Sequence, residues 1–153
     1  EEEYPNIEYE EMIIDNGCMQ LVKDPTRFDT LLMENLYGDL VSDLCAGMVG
    51  GLGVVPGANI GDHVAVFEAV HGTAPDIAGK GIANPLACIM SGVMMLNHMA
   101  DTTGEEARRA AAAKIKHAYD AVLTEGTTLT RDLGGTAGGK ECTDARVRQR
   151  QKS

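Results

Sequence analysis

The chain has 153 residues, 44% of them apolar, and carries 23 Asp and Glu against 13 Lys and Arg, a formal charge of -10. That length predicts one domain with a sizeable core, and that charge argues against nucleic acid and anionic membrane surfaces as partners, since both reward a basic face. No apolar run reaches membrane-spanning length, and Glu1-Glu2-Glu3-Tyr4 resembles neither a signal peptide nor an Arg-rich transit peptide.

In chain order, residues 7–14 alternate Ile and Tyr with acids and end Met-Ile-Ile, which predicts a strand entering a core. Asp15-Asn16 stops it and can cap a helix over about 17–23. Residues 28–33 are a second strand candidate. Asn35 can cap a helix over 36–49, on which Leu36, Leu40, Val41, Leu44 and Met48 form one apolar stripe. Gly47, Gly50, Gly51 and Gly53 end it and lead through Val54-Val55-Pro56-Gly57 into a loop. Residues 64–70 are apolar enough for a buried strand. Residues 86–99 are apolar nearly all round, which predicts a helix buried in a core or against another subunit, its Met run serving packing. A long helix over 105–123 follows, with acids at its start, Ile115, Ala118, Tyr119 and Val122 on one face and Gly126 as C-terminal cap. Residues 127–133 suggest a last short strand, and 143–153 a closing helix or frayed tail. Strands interleaved with helices predict an α/β domain with much parallel pairing.

Cys18, Cys45, Cys88 and Cys142 show no close-pair spacing, which speaks against a zinc site or disulfide framework and fits buried free thiols in a reducing compartment. Arg146, Arg148, Arg150 and Lys152 form the one basic cluster and read as a solvated C-terminal tail.

Two stretches carry chemistry. In Phe67-Glu-Ala-Val-His-Gly-Thr-Ala-Pro-Asp-Ile-Ala-Gly-Lys-Gly-Ile-Ala-Asn-Pro85, turn formers and polar groups stand between a strand and a helix. Asn84 and Pro85 suit the cap and first turn of that helix. The glycines permit close backbone approach, and His71 and Asp76 offer polar side chains. A carboxylate on such a loop can accept both hydroxyls of a ribose and repels a ribose bearing a phosphate, which favours NAD over NADP. Glycine spacing alone fits an ordinary strand-to-helix connection equally well. The second stretch sets Asp39 and Asp43 four apart on a predicted helix, so both carboxylates share one face. A solvated acidic face is the better reading of that spacing by itself; the alternative is a hard divalent metal such as Mg²⁺ or Mn²⁺.

Resemblance orders these readings. His71 to Lys80 followed by Ala83-Asn84-Pro85 fills every position of a loop shared by the β-decarboxylating dehydrogenases, the family of isocitrate, 3-isopropylmalate and tartrate dehydrogenases. The resemblance implies that the adenosine half of the cofactor lies on His71, Gly72, Thr73, Ala74, Asp76, Ile77 and Asn84, with Asp76 accompanying NAD use. Asn35-Leu-Tyr-Gly-Asp-Leu-Val-Ser-Asp-Leu-Cys-Ala-Gly-Met-Val-Gly-Gly-Leu-Gly53 is similar to the family's second signature, which makes Asp39 and Asp43 metal ligands. Ile13-Ile-Asp-Asn-Gly-Cys-Met-Gln-Leu21 resembles the segment whose Asp reaches the metal of a neighbouring subunit. Asp15 would then complete a shared site, where the residues alone make it an N-cap. The helix after it resembles the family's dimer contact, so a homodimer or a hetero-oligomer of related subunits is implied.

The implied fold is the C-terminal part of the isocitrate/isopropylmalate dehydrogenase architecture, three-layer with a mixed, largely parallel sheet. About 1–50 would be the dimer-contact and metal-carboxylate segment, and about 51–153 the cofactor loop and C-terminal helices. The implied reaction is metal-assisted oxidative decarboxylation of a 2-hydroxy acid with NAD. Cys-Ala-Gly, Pro56-Gly-Ala-Asn-Ile-Gly61, Thr73 and Thr130-Arg-Asp-Leu-Gly-Gly135 resemble the isocitrate branch, its NAD-linked catalytic subunits above all, with 3-isopropylmalate as the alternative substrate. Such proteins work in the mitochondrial matrix of eukaryotes and otherwise in the cytoplasm. Family members are considerably longer; the Tyr and Lys of proton transfer and the residues gripping the substrate carboxylates would lie outside this chain, which should be inactive alone. The non-enzyme alternatives are a regulatory, nucleotide-sensing subunit or a small acidic oligomerisation module.

Overall fold

In the computed structural model of the chain, residues 4–150 are described, without the side chain of Arg150. The start Glu1-Glu2-Glu3 and Lys152 lie outside the described residues. Two compact units follow one another along the chain, the first through Met48 and the second from Val49 on.

In the first unit, helix α1 spans Ile14–Lys23 and helix α2 spans Asn35–Val49. Helix α1 begins earlier than expected: Ile13 precedes it without a side-chain cap, and Asp15 sits inside the first turn, not at the cap. There its carboxylate complements the positive end of the helix, and its Oδ1 accepts from the Asn16 N–H at 2.6 Å. Asp24 then caps a single 3-10 turn, Pro25–Arg27, accepting from the Thr26 N–H and hydroxyl at 3.2 and 2.6 Å. Those bonds hold its carboxyl below the ordinary carboxylate pKa.

The strands expected over 7–14 and 28–33 do not form. Residues 7–13 and 28–33 run without regular structure, Ile14 already belonging to α1, and line, with Leu21 and Val41, a cleft of about 770 Å³. A strand needs a neighbouring backbone for its ladder, and the described residues offer these segments none. Consequently Ile13 is 76% and Leu32 92% exposed. On α2 the expected stripe is buried at Val41 but open at Leu36 and Leu40.

The second unit holds the one sheet of the described residues. Strand β1 (Pro56–Ile60) pairs antiparallel with β2 (Ala65–Ala69), from Pro56 opposite Ala69 to Ile60 opposite Ala65. Strand β2 was legible; β1 falls in the expected loop, because its Pro takes the first position, where a missing N–H costs least. The expected parallel pairing therefore has no counterpart among the described residues.

Helix α3 (Leu86–Thr103) packs on both strands, and the Ser91 hydroxyl reaches the Glu68 carbonyl at 2.7 Å. Helix α4 (Glu106–Glu125) lies against α3 and against α5 (Gly139–Arg150). Small residues are prominent among the buried positions of these helices: Ala100, Ala112 and Ala118, with Val93, Val122 and Cys142. Gly104 and Gly126 end α3 and α4 with positive φ angles of 73° and 70°. The strand expected over 127–133 is instead a turn, ending in the 3-10 segment Arg131–Leu133. Chain reversal decides this: the Gly135 and Ala137 N–H groups return to the Thr130 and Leu129 carbonyls, and a Cβ at Gly135 would strike the Leu129 carbonyl. No described helix is long and apolar enough to cross a membrane.

The closing segment corrects two further expectations. Arg146 is 5% exposed on α5, not part of a solvated tail. Its Nη1 donates to the Cys142 carbonyl and Sγ, and its guanidinium lies 5.7 Å from the Tyr119 ring centroid. Four cysteines are free, but only Cys142 is fully buried and Cys88 is exposed.

The contact between Arg146 and Tyr119 can be tested from both sides. Arg146 Nε and Nη2 are buried without a hydrogen-bond partner among the described residues, so Arg146→Met should preserve or raise the melting temperature, while Arg146→Ala should cost roughly 2–5 kcal/mol in chemical denaturation. Burial raises the Tyr119 pKa above the ordinary 10.0, with Arg146 pulling it back in part. The unfolded chain then ionises first, so the stability from this residue is lost as pH climbs from 10.0 through the native value. Tyr119→Phe should flatten that alkaline slope in unfolding curves; an unchanged slope would assign it elsewhere.

Candidate functional site

Strand β2 hands over to the loop at Val70, whose N–H bonds to the Val55 carbonyl at 3.4 Å. His71, Gly72, Thr73 and Ala74 are exposed. Ala74 has φ 42°, the only positive φ at a non-glycine among the described residues, a conformation costing on the order of 1–2 kcal/mol. It turns the chain into the 3-10 segment Pro75–Ile77, where the Ile77 N–H returns to the Ala74 carbonyl at 3.0 Å. Asp76 sits in that segment, exposed and outside every ion pair of the described residues; Ile77 is half-buried.

Asn84 ends the loop as expected. Pro85, expected in the first turn, instead directly precedes α3 and its carbonyl accepts from the Ile89 N–H at 3.1 Å, while from one residue further back the Asn84 Oδ1 accepts from the first N–H of the helix, that of Leu86, at 3.0 Å. The Asn84 Nδ2 donates to Asp132 Oδ2 at 2.7 Å. No spacing pattern points to Asp132, 48 residues further on. Gly53, expected only as part of the helix stop and the second signature, adds a close approach: a Cβ there would stand 2.8 Å from Asp132 Oδ2 and 3.3 Å from the Asn84 Cβ.

The carboxylates lie in the first unit. Asp39 and Asp43 are exposed one turn apart on α2, neither is paired with a cation among the described residues, and the Ser42 hydroxyl engages only the Asp39 backbone carbonyl. Two unpaired carboxylates on one helix face are the donor chemistry a hard divalent ion takes, leaving positions for water and other oxygen ligands. Asp15 stands on α1, and among the described residues no three His, Cys, Asp or Glu side chains gather into a metal-holding group. The described chain thus brings together Asp39 with Asp43, and His71 through Ile77 with Asn84 on one loop, but does not assemble the three aspartates.

Residues 1–146 match the isocitrate/isopropylmalate dehydrogenase family. The chain is 55% identical over 145 residues to the mitochondrial NAD isocitrate dehydrogenase catalytic subunit 5 of Arabidopsis thaliana, covering 94% of this chain and 37% of that protein. It is 53% identical over 147 residues to a mitochondrial regulatory subunit of the NAD isocitrate dehydrogenase of Dictyostelium discoideum, covering 95% and 40% respectively. The chain therefore spans about two fifths of the length of these relatives. Among solved structures, isocitrate dehydrogenase from Methylococcus capsulatus superposes with a TM-score of 0.87 at 46% identity, over 98% of this chain and 43% of that one. With sequence match and backbone likeness running through the loop and the paired aspartates alike, the chain belongs to the isocitrate/isopropylmalate dehydrogenase family.

Proposed function

We propose that the chain is the C-terminal portion of a metal-dependent NAD-linked isocitrate dehydrogenase, converting isocitrate to 2-oxoglutarate and carbon dioxide. The observation that carries this reading is the loop from His71 to Asn84, exposed over 71–76, with Asp76 outside every ion pair of the described residues and the Asn84 side chain bonded to the first N–H of α3. Asp76 is suited to accept the two hydroxyls of the adenosine ribose of NAD, and its charge opposes a 2′-phosphate there. Bound NAD supplies the hydride acceptor. Asp39 and Asp43, with Asp15 contributed from a neighbouring subunit, would hold Mg²⁺ or Mn²⁺, whose charge stabilises the negative charge developing as carbon dioxide leaves. The proton-transfer groups and the grip on the substrate carboxylates fall to the rest of the enzyme.

Exposed Ile13, Leu32, Leu36 and Leu40 support an assembly in which other segments or subunits cover the first unit, and which supplies the largely parallel strands of a three-layer sheet. Related subunits in a homodimer or hetero-oligomer are the proposed partners, and the mitochondrial matrix the proposed location in a eukaryote. A second reading is favoured by one observation: the regulatory relative is about as similar as the catalytic one. In that reading the loop binds nucleotide without turnover. 3-Isopropylmalate is the alternative substrate.

In the complete enzyme with Mg²⁺ or Mn²⁺, turnover should be supported by isocitrate and not isopropylmalate, with NAD preferred to NADP. Asp76→Lys should cut the NAD-to-NADP ratio of kcat/KM by about tenfold or more, since about 1.4 kcal/mol suffices for that factor. Nucleotide binding without turnover would select the regulatory reading, and no nucleotide binding would remove both. Asp39→Asn and Asp43→Asn make a sharper pair of signs. Each should weaken Mn²⁺ binding in calorimetry, while relief of the like-charge pair stabilises the metal-free helix by about 0.2–0.5 kcal/mol. A solvated acidic face would show the second effect without the first.

A further inference from the structure

We infer that Asp132 is a positioning residue for the cofactor loop, orienting the Asn84 amide through the Nδ2 to Oδ2 bond and so fixing where the loop meets α3. The inference rests on the proposed NAD reading. Asn84 has to place one acceptor and one donor end. A carboxylate only accepts, so Asp132 at 2.7 Å determines that Nδ2 faces it and that Oδ1 faces the Leu86 N–H. The reversed amide would set oxygen against carboxylate and NH₂ against N–H, losing both bonds at once.

Two neighbouring contacts show that the region is built around this bond. Gly53 leaves room that a methyl group would take from Asp132 Oδ2 and the Asn84 Cβ. Beyond the 3-10 turn, Gly139 N–H donates to the Gly81 carbonyl at 2.8 Å, and a Cβ at Gly139 would strike the Ala83 carbonyl. The second half of the loop is therefore held from outside, by the turn that carries Asp132 and by the start of α5. The first half is not: the bonds of residues 71–80 are local, Ile77 to Ala74, Ala78 to Pro75, Lys80 to Ile77 and His71 to Gly72. With Oδ1 and one Nδ2 proton used internally, Asn84 has one side-chain N–H and its backbone left for a cofactor. A ligand then meets an Asn84 end that is prearranged by bonds from outside the loop.

The test measures steady-state kinetics of the complete enzyme with Asp132→Ala, Asp132→Asn and Gly53→Ala, beside melting temperatures. Asp132→Ala should raise the KM for NAD by roughly tenfold, the weight of a hydrogen bond to a charged group, with kcat and the isocitrate KM unchanged. Asp132→Asn, which keeps an acceptor oxygen, should recover most of the loss, and Gly53→Ala, which pushes on the same contact, should reproduce it. An unchanged NAD KM in Asp132→Ala overturns the inference. So does a joint fall in melting temperature, kcat and both affinities, or failure to fold, since each assigns Asp132 to the scaffold alone. Failure of the underlying reading is distinct: the parent enzyme itself would then not use NAD.

Discussion

A side-chain amide with its two ends committed in opposite directions is the constraint on which the second unit depends. Asn84 joins three things that sequence keeps far apart: the end of the exposed loop, the first turn of α3 and the turn after α4. Helix α3 is in turn the element on which both strands and α4 pack. It lies on both strands, with Ser91 reaching the Glu68 carbonyl, and on α4, which carries α5. A cap at the N-terminus of such a helix therefore sets the position of the loop relative to the whole layer.

Close packing of small residues makes that layer possible. Alanines at 100, 112 and 118 let helix backbones approach, and glycines at 53, 135 and 139 let loops pass one another where a methyl group would collide. One group sits uneasily there. Arg146 is buried with two nitrogens unpartnered among the described residues, offset by its bonds to Cys142 and its place over the Tyr119 ring. Its cost is borne by the same α4 to α5 contact that holds Gly139 near the loop.

The first unit is organised differently. It buries Leu21, Val41 and Ala46 yet leaves Ile7, Ile13, Leu32, Leu36 and Leu40 largely open. Its irregular segments line an apolar cleft and find no neighbouring backbone among the described residues with which to form a ladder. Asp39 and Asp43 are exposed on the same unit, two like charges on one helix face with no cation paired to them among the described residues.

Elements whose signals are local were readable from the sequence. Helices α2, α3 and α4 follow from apolar periodicity and their glycine stops, β2 from its apolar run, and the Asn84-Pro85 helix start from capping chemistry alone. The loop from His71 to Asn84 and the Asp39 and Asp43 pair were likewise visible, because each lies within one short motif. Features that depend on a second stretch of chain were not. Strands over 7–14 and 28–33 had the right composition and no partner, 127–133 was bent into a turn by its return to Thr130 and Leu129, and Arg146 was drawn from an apparent tail into a helix contact. Asp132 and Gly53 each lay in a recognisable motif, but nothing at either position announced its contact with Asn84. Composition and periodicity report what a segment can do with its neighbours in sequence; hydrogen-bond partners and close approaches 48 residues apart exist only once the chain has folded.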